Sequence, residues 1–300
     1  MIDYRLHLTS LVAVFMALGL GMLIGGALTS TPPPAAQQEA LNTLQQRFAE
    51  FSQQYSDLRD QKDDLKERML REDQGIRMAM EPALSNRLNG RRIAVVLCGE
   101  VDGAGFLSQL NETIEDAGGE VVSTTRIGDD WLPVDAEARN RLLVALGVYA
   151  PDLSDARAAA VLGRAVANGR AVALQSAARV ASGLRLDGDY SRRVSAVLLI
   201  TGATDRDRLR AAKAGVTPEQ GLLKGFKDAE VRVVAAEPDG EDALTTISFW
   251  SGLAPATVDN VDMAAGQLCA VYALAGRDAR YGIKRAAERA LPDFTLKSSE

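Results

Sequence analysis

Histidine is nearly missing from this sequence: His7 is the only one in 300 residues, and Cys98 and Cys269 are the only cysteines. A Cys/His zinc site needs about four ligands, and a Ser-His-Asp or Cys-His mechanism needs a histidine in a folded cleft; neither supply is at hand. Basic charge is not in excess either. Thirty-four Lys and Arg against forty Asp and Glu leave a net charge of −6, which argues against a nucleic-acid or acidic-lipid binder. Carboxylates are the only plentiful acid–base groups and no spaced pair stands out, so neither catalysis nor a cofactor is expected. Apolar residues make up 47% and charged residues 25% of the chain, enough to bury a core. The length allows two ordinary domains, or one domain with elongated elements.

From Leu8 to Leu28 the chain reads LTSLVAVFMALGLGMLIGGAL, twenty-one residues without a charge. At about 1.5 Å per residue such a run matches a hydrocarbon core of about 30 Å. The alternative is a cleaved signal peptide, which should have a shorter apolar region, a basic head and an A-x-A site. Here the head is MIDYRLH, with Arg5 offset by Asp3, so a retained single-pass anchor is the expectation. Arg5 and the α-amino group precede the span and uncharged residues follow it, which places the C-terminal part outside the cytoplasm. Ala17, Gly21 and Gly25 form a small-xxx-small stripe, a helix-pairing surface or simply the glycine common in membrane helices.

Beyond Pro32-Pro33-Pro34, which ends the membrane helix, apolar residues fall on a heptad from Leu41. The a positions are Leu41, Phe48, Tyr55, Lys62, Met69 and Ile76; the d positions are Leu44, Phe51, Leu58, Leu65, Glu72 and Ala79. Ten of these twelve are apolar or aromatic, the mark of a coiled coil. Asp64–Arg68, Glu67–Arg71 and Asp73–Arg77 add i,i+4 pairs, and Pro82 is where the helix must kink or end. Anchors in one membrane at one end of the rod allow only a parallel, in-register pair. The expected dimer interface is therefore Leu41, Leu44, Phe48, Phe51, Tyr55, Leu58 and Leu65, with another envelope protein as the alternative partner.

The remainder reads as a mostly parallel α/β, Rossmann-like domain. RRIAVVLC, a helix and EVVSTTRI form a βαβ unit over residues 91–127. Buried strands are predicted at Ala171–Gln175, Val194–Ile200 and Val231–Ala235, and helices near 153–168, 204–214, 218–228, 262–275 and 281–290. The organisation is thus an anchor (1–30), a proline linker and coiled coil (31–82), a globular domain (90–292) and a tail (293–300). Gly99-Glu-Val-Asp-Gly103-Ala-Gly105 follows the first strand but matches neither G-x-G-x-x-G nor a P-loop. Its Glu100 and Asp102 would repel a phosphate, so an ordinary βα turn is expected. Cys98 and Cys269 look like small buried hydrophobes, with a disulfide between them the alternative. Met78 and Met80 suggest either packing or a soft copper site.

The most distinctive segment runs from Ala256 to Pro292, ATVDNVDMAAGQLCAVYALAGRDARYGIKRAAERALP. Asp259, Asn260 and Asp262 precede a helix whose entry they are expected to cap. Gly266 permits close backbone approach, Gln267 follows it, and Tyr281-Gly282 ends a connector. A tightly packed structural helix and a recognition site both fit these residues.

The opening IDYRLHLTSLVAVFMALGLGMLIG, the coiled coil, and VDNVDMAAGQ…YGIKRAA…LP together resemble the MctB family. That family is known as copper transport proteins of actinobacteria and other bacteria, and includes SteB-type envelope proteins. The resemblance implies a membrane-attached protein with an envelope-facing domain and a role in copper handling or in cell-envelope division. It supplies no copper ligands, so copper enters through the resemblance alone.

Overall fold

A computed structural model describes residues 4–28, 35–99, 101, 104–149, 153–202, 210–211, 213–214, 217–239, 247–250 and 252–293. The chain forms two units, residues 1–68 and 69–300. In the first, α1 covers Tyr4–Leu28 and α2 starts at Ala35. Helix α2 is continuous over 50 residues to Leu84, so Pro82 lies inside its last turn and the helix stops two residues later. Among the described residues no helix is long and apolar enough to cross a membrane; the described side chains of α1 run without a break only from Ser10 to Met22.

The second unit is built on β1 (Arg92–Cys98), α3 (Ala104–Asp116), β2 (Glu120–Ile127), α4 (Ala136–Ala145), α5 (Asp155–Ala167), α6 (Ala171–Ala178), β3 (Leu184–Gly188) and β4 (Ala196–Thr201). It continues with α7 (Pro218–Asp228), β5 (Arg232–Ala236), a 3-10 turn at Ile247–Phe249, β6 (Ala256–Val258), α8 (Ala264–Ala275) and β7 (Arg280–Tyr281). The seven strands lie in the order β3-β2-β1-β4-β5-β6-β7. Every pairing is parallel except β2–β3, so the sheet is mixed, with its one antiparallel strand at an edge. The expected βαβ unit is β1-α3-β2, with Arg92 opposite Glu120 and Cys98 opposite Ile127.

Strand side chains alternate between faces, and β1 feeds two cores accordingly. Ala94, Val96 and Cys98 join Trp131, Leu162, Phe226 and Trp250 on one face. Ile93, Val95 and Leu97 join Leu110, Ile114 and Leu268 on the other. That second core also takes in Met80, Leu84 and Leu88, so the C-terminal end of α2 is part of the head. On the first face α5 and α7 cross closely: a Cβ on Gly221 or Gly225 would lie 2.2 Å from the carbonyl oxygen of Ala156 or Ala160.

Two expected elements differ. Ala171–Gln175 is not a strand but the start of α6. The run AVALQSAA is short and alanine-rich; periodicity cannot separate strand from helix at that length, and alanine's preference for helix decides. Leu174 and Ala177 are its buried pair, three residues apart as a helix face requires. Residues 281–290 are likewise not a helix. Gly282 has φ +143, the amides of Glu288 and Arg289 both donate to Arg280 O, and Tyr281 bridges Arg289. This segment folds back on β7 instead. Of the helix expected at 204–214, residues 204–209 and 212 lie outside the described residues.

Candidate functional site

Two groups of residues stand apart from the core. The first is the heptad seam. Leu41, Leu44, Phe48, Phe51, Tyr55, Leu58 and Leu65 all lie on α2 and are between 54% and 72% exposed in the single chain. At heptad spacing they form one strip of apolar surface along the helix. Soluble proteins rarely leave a strip of this kind uncovered.

The second group gathers the distinctive C-terminal motif into a buried polar cluster at the C-terminal ends of β5 and β6. Asp259 directly follows β6 and is 2% exposed. Its carboxylate accepts the amides of Ile283 at 2.8 Å and Lys284 at 3.0 Å. It therefore holds the turn after β7, not the entry of α8. The expected helix cap is corrected accordingly: the N-cap residue of α8 is Met263, which makes no side-chain cap bond. The amide of Ala264 in the first turn instead donates to the Asp73 carboxylate on α2, which places negative charge where the helix dipole favours it. Asp262 Oδ1 accepts the amide of Asp239 at 2.7 Å. The backbone oxygen of Asn260 accepts from Met263, while its buried Oδ1 has no hydrogen-bond partner among the described residues.

The glycines have geometric reasons. A Cβ on Gly266 would lie 1.9 Å from Asn260 O, and one on Gly282 would lie 1.8 Å from Asp259 Oδ1. Gln267 is fully buried and its Oε1 accepts from Arg77 Nη1 at 2.9 Å. It also lies 3.0 Å from Thr113 Oγ1. Arg77 in turn pairs with Asp73 at 3.4 Å. The motif thus brings Asp259, Asn260, Asp262, Gly266, Gln267, Tyr281 and Gly282 around the start of α8, and fastens the end of α2 there.

Sequence reading missed Glu237 and Lys284, whose side chains pair at 2.9 Å with Glu237 buried. Lys284 Nζ also donates to Pro238 O at 3.1 Å. The signal was available, since Lys284 stands in the YGIKRAA stretch, but nothing in a single sequence joins it to Glu237. Asp73 and Arg77 read as an ordinary surface i,i+4 pair, and their reach to α8 and Gln267 was invisible.

Burial pushes the carboxyl groups of Asp259 and Asp262 up in pKa, against backbone amides that favour the charged form. Burial pushes the Cys269 thiol up to about 12, so at neutral pH it is a protonated thiol, with Ala290 O 3.5 Å away. A thiolate is the form that binds a soft metal. Cys98 and Cys269 lie in the cores on opposite faces of the sheet and are not joined to each other, so the disulfide alternative is not formed. Met78 is 78% exposed and Met80 is buried in the core, so the two methionines do not converge. Of the glycine-containing loop after β1, residues 100, 102 and 103 lie outside the described residues.

Fold and site define a class: an α/β head carrying a long N-terminal helix whose last turns are locked into the head. The chain belongs to the family described as "Copper transport outer membrane protein, MctB", whose model matches residues 1–292. Membership implies a role in copper transport or homeostasis at the cell envelope. No curated protein matches the chain.

Proposed function

We propose that this protein is a non-catalytic, membrane-held scaffold of the copper-handling apparatus of the envelope. On this reading it works as a parallel homodimer through α2, with the head outside the cytoplasm. The exposed seam from Leu41 to Leu65 carries the reading. Burying each large side chain there is worth roughly 1.5–3 kcal/mol, against about 0.2–0.5 kcal/mol for an exposed i,i+4 charge pair. Hydrophobic pairing therefore dominates, and salt matters little. Lys62 at an a position costs stability but favours a defined register. The uncharged run Leu8–Leu28 and the exposed Leu11, Phe15, Leu18 and Met22 of α1 support the anchor. The bonds from Asp73 and Arg77 to Ala264 and Gln267 support a head fixed to the end of its helix.

The test uses full-length protein in detergent micelles. Sedimentation should give a dimer at micromolar concentration, and Leu44→Cys in both copies should crosslink because a parallel register sets like d positions face to face. Phe51→Glu with Leu58→Glu should dissociate the pair and, in a strain lacking the gene, fail to restore normal copper content. A monomer that crosslinks only to another species overturns the homodimer and makes the seam a partner-binding site. The family match favours a second reading, in which the chain carries copper itself; stoichiometric Cu(I) binding by the purified protein would select it.

A further inference from the structure

We propose that the turn joining α2 to the head is a site of spontaneous covalent modification, at which Asn89 closes on the amide of Gly90 and becomes aspartate or isoaspartate. The chain has a second Asn-Gly pair, Asn168-Gly169, and the fold holds that one unreactive. Asparagine before glycine is the pair most open to this reaction, because glycine has no Cβ to shield the attacking nitrogen.

The structure treats the two pairs differently. Leu88 to Arg91 form a tight turn closed by the Arg91 amide on Leu88 O at 2.9 Å. Gly90 takes φ +70, the backbone for which such turns favour glycine. Asn89 and Gly90 are both exposed, and among the described residues neither the Asn89 carboxamide nor the Gly90 amide is hydrogen-bonded. Nothing lies within 4 Å of where a Cβ of Gly90 would stand. The nucleophile and the carbon it attacks are thus both free and in water. Asn168 is exposed too, at the C-cap of α5. There, however, the Gly169 amide donates to Val166 O at 3.3 Å, and Gly169 is pressed so closely on the Arg192 backbone that a Cβ would not fit. Reaction at Asn168 has to wait for local unfolding.

The reaction needs only water. The Gly90 nitrogen, once it has given its proton to hydroxide, attacks Asn89 Cγ. The N–Cγ bond forms, the Cγ–Nδ2 bond breaks, and ammonia leaves with a proton taken from water. The cyclic imide then adds water. Opening at Cγ leaves aspartate at position 89; opening at the main-chain carbonyl leaves isoaspartate, whose backbone runs through Cβ and is longer by one carbon. Either product adds a negative charge, and the second lengthens a joint that is tied at both ends. The Leu88 amide donates to Ala117 O at 2.8 Å and the Glu120 amide to Arg91 O at 2.9 Å. Gly118 packs directly on the turn, since a Cβ there would lie 3.3 Å from Asn89 Cα. The joint therefore loosens with the age of each copy.

The experiment ages full-length protein in micelles at mildly alkaline pH and follows the peptides spanning residues 89–90 and 168–169 by chromatography and mass spectrometry. Aspartate and isoaspartate should accumulate at position 89 at least about tenfold faster than at 168, the weight of one backbone hydrogen bond. In urea the two positions should convert at similar rates. Asn89→Gln, whose longer side chain closes a larger and slower-forming ring, should give neither product at position 89. Aged wild type should lose hydrogen-exchange protection at Leu88, while Asn89→Gln aged in the same way should keep it. Equal rates in the folded protein, a preference for position 89 that persists undiminished in urea, or protection at Leu88 that survives conversion to isoaspartate would each overturn the proposal.

Discussion

Replacing Asp259 by alanine strips two amides of their acceptor at once. The carboxylate takes Ile283 N–H at 2.8 Å and Lys284 N–H at 3.0 Å in a residue only 2% exposed. A hydrogen bond to a charged group is worth about 1.5–3 kcal/mol, so two lost bonds come to about 3–6 kcal/mol. Against this stands the removal of a buried charge, whose cost shows in the raised pKa, leaving a net loss of about 2–4 kcal/mol. For a head of this size each kcal/mol moves the melting temperature by about 2–4 °C, giving a drop of roughly 5–15 °C. Loss of an ordinary helix cap would cost less, about 0.5–2 kcal/mol. Asp259→Asn keeps one acceptor and should fall between the two. Hydrogen exchange supplies the local readout: the amides of residues 283 and 284 should lose protection, while that of Ala264, held by Asp73, should keep it. Melting within 2 °C of the parent, or loss of protection at residue 264 rather than at 283 and 284, would refute the reasoning.

The same carboxyl gives a pH dependence. Its pKa is raised in the folded protein, so the part of its contribution that is linked to protonation is fully present below the unfolded value near 3.8 and is lost as pH rises through the folded one, while the two amide bonds to the carboxylate remain. The melting difference between wild type and Asp259→Asn should therefore shift in favour of wild type as pH falls from about 7 towards 4; a flat or opposite trend contradicts the burial argument. Gly266→Ala should destabilise by at least about 1–3 kcal/mol, because its Cβ would meet Asn260 O at 1.9 Å and backbone must move. Gly75→Ala is the contrast, since it meets nothing within 4 Å on exposed helix; denaturant unfolding should show a gain of about 0.5–1 kcal/mol.

How legible each part was depended on the range of the forces behind it. The βαβ opening and the strands after Val194 and Val231 announce themselves, because strands buried on both faces are continuous apolar runs. Helix α7 was expected near 218–228 and forms there, where Thr217, Pro218 and Gln220 give a capping box with proline in the first turn. Strand β3 was missed: it reads LRLDG, polar and mostly exposed, and exists only through its pairing with β2. Strand β6 has three residues and carries no pattern of its own. The segment 281–290 contains good helix formers, yet Asp259 and the Arg280 backbone draw its amides away, Asp259 from more than 20 residues off and Arg280 from just before the segment. For the candidate site, residue types were readable and connections were not. Asp259, Gly266 and Gln267 stood out, but their contacts with Ile283, Asn260 and Arg77 are set by tertiary packing.

The return of residues 282–289 along β7 bears on how copies of this chain can meet. An open sheet has two edges, and each is a template for another strand. At the β7 edge the template is already occupied by the chain's own backbone, through the pair Tyr281–Arg289 and the amides bound to Arg280 O. At the other edge, β3 is five residues long and presents Arg185 and Asp187, charges that discourage a further strand. The head is thus poorly suited to joining its neighbours edge to edge, even when many copies are crowded into one envelope layer. On the proposed pairing through α2, assembly could be adjusted along its apolar strip without touching the sheet.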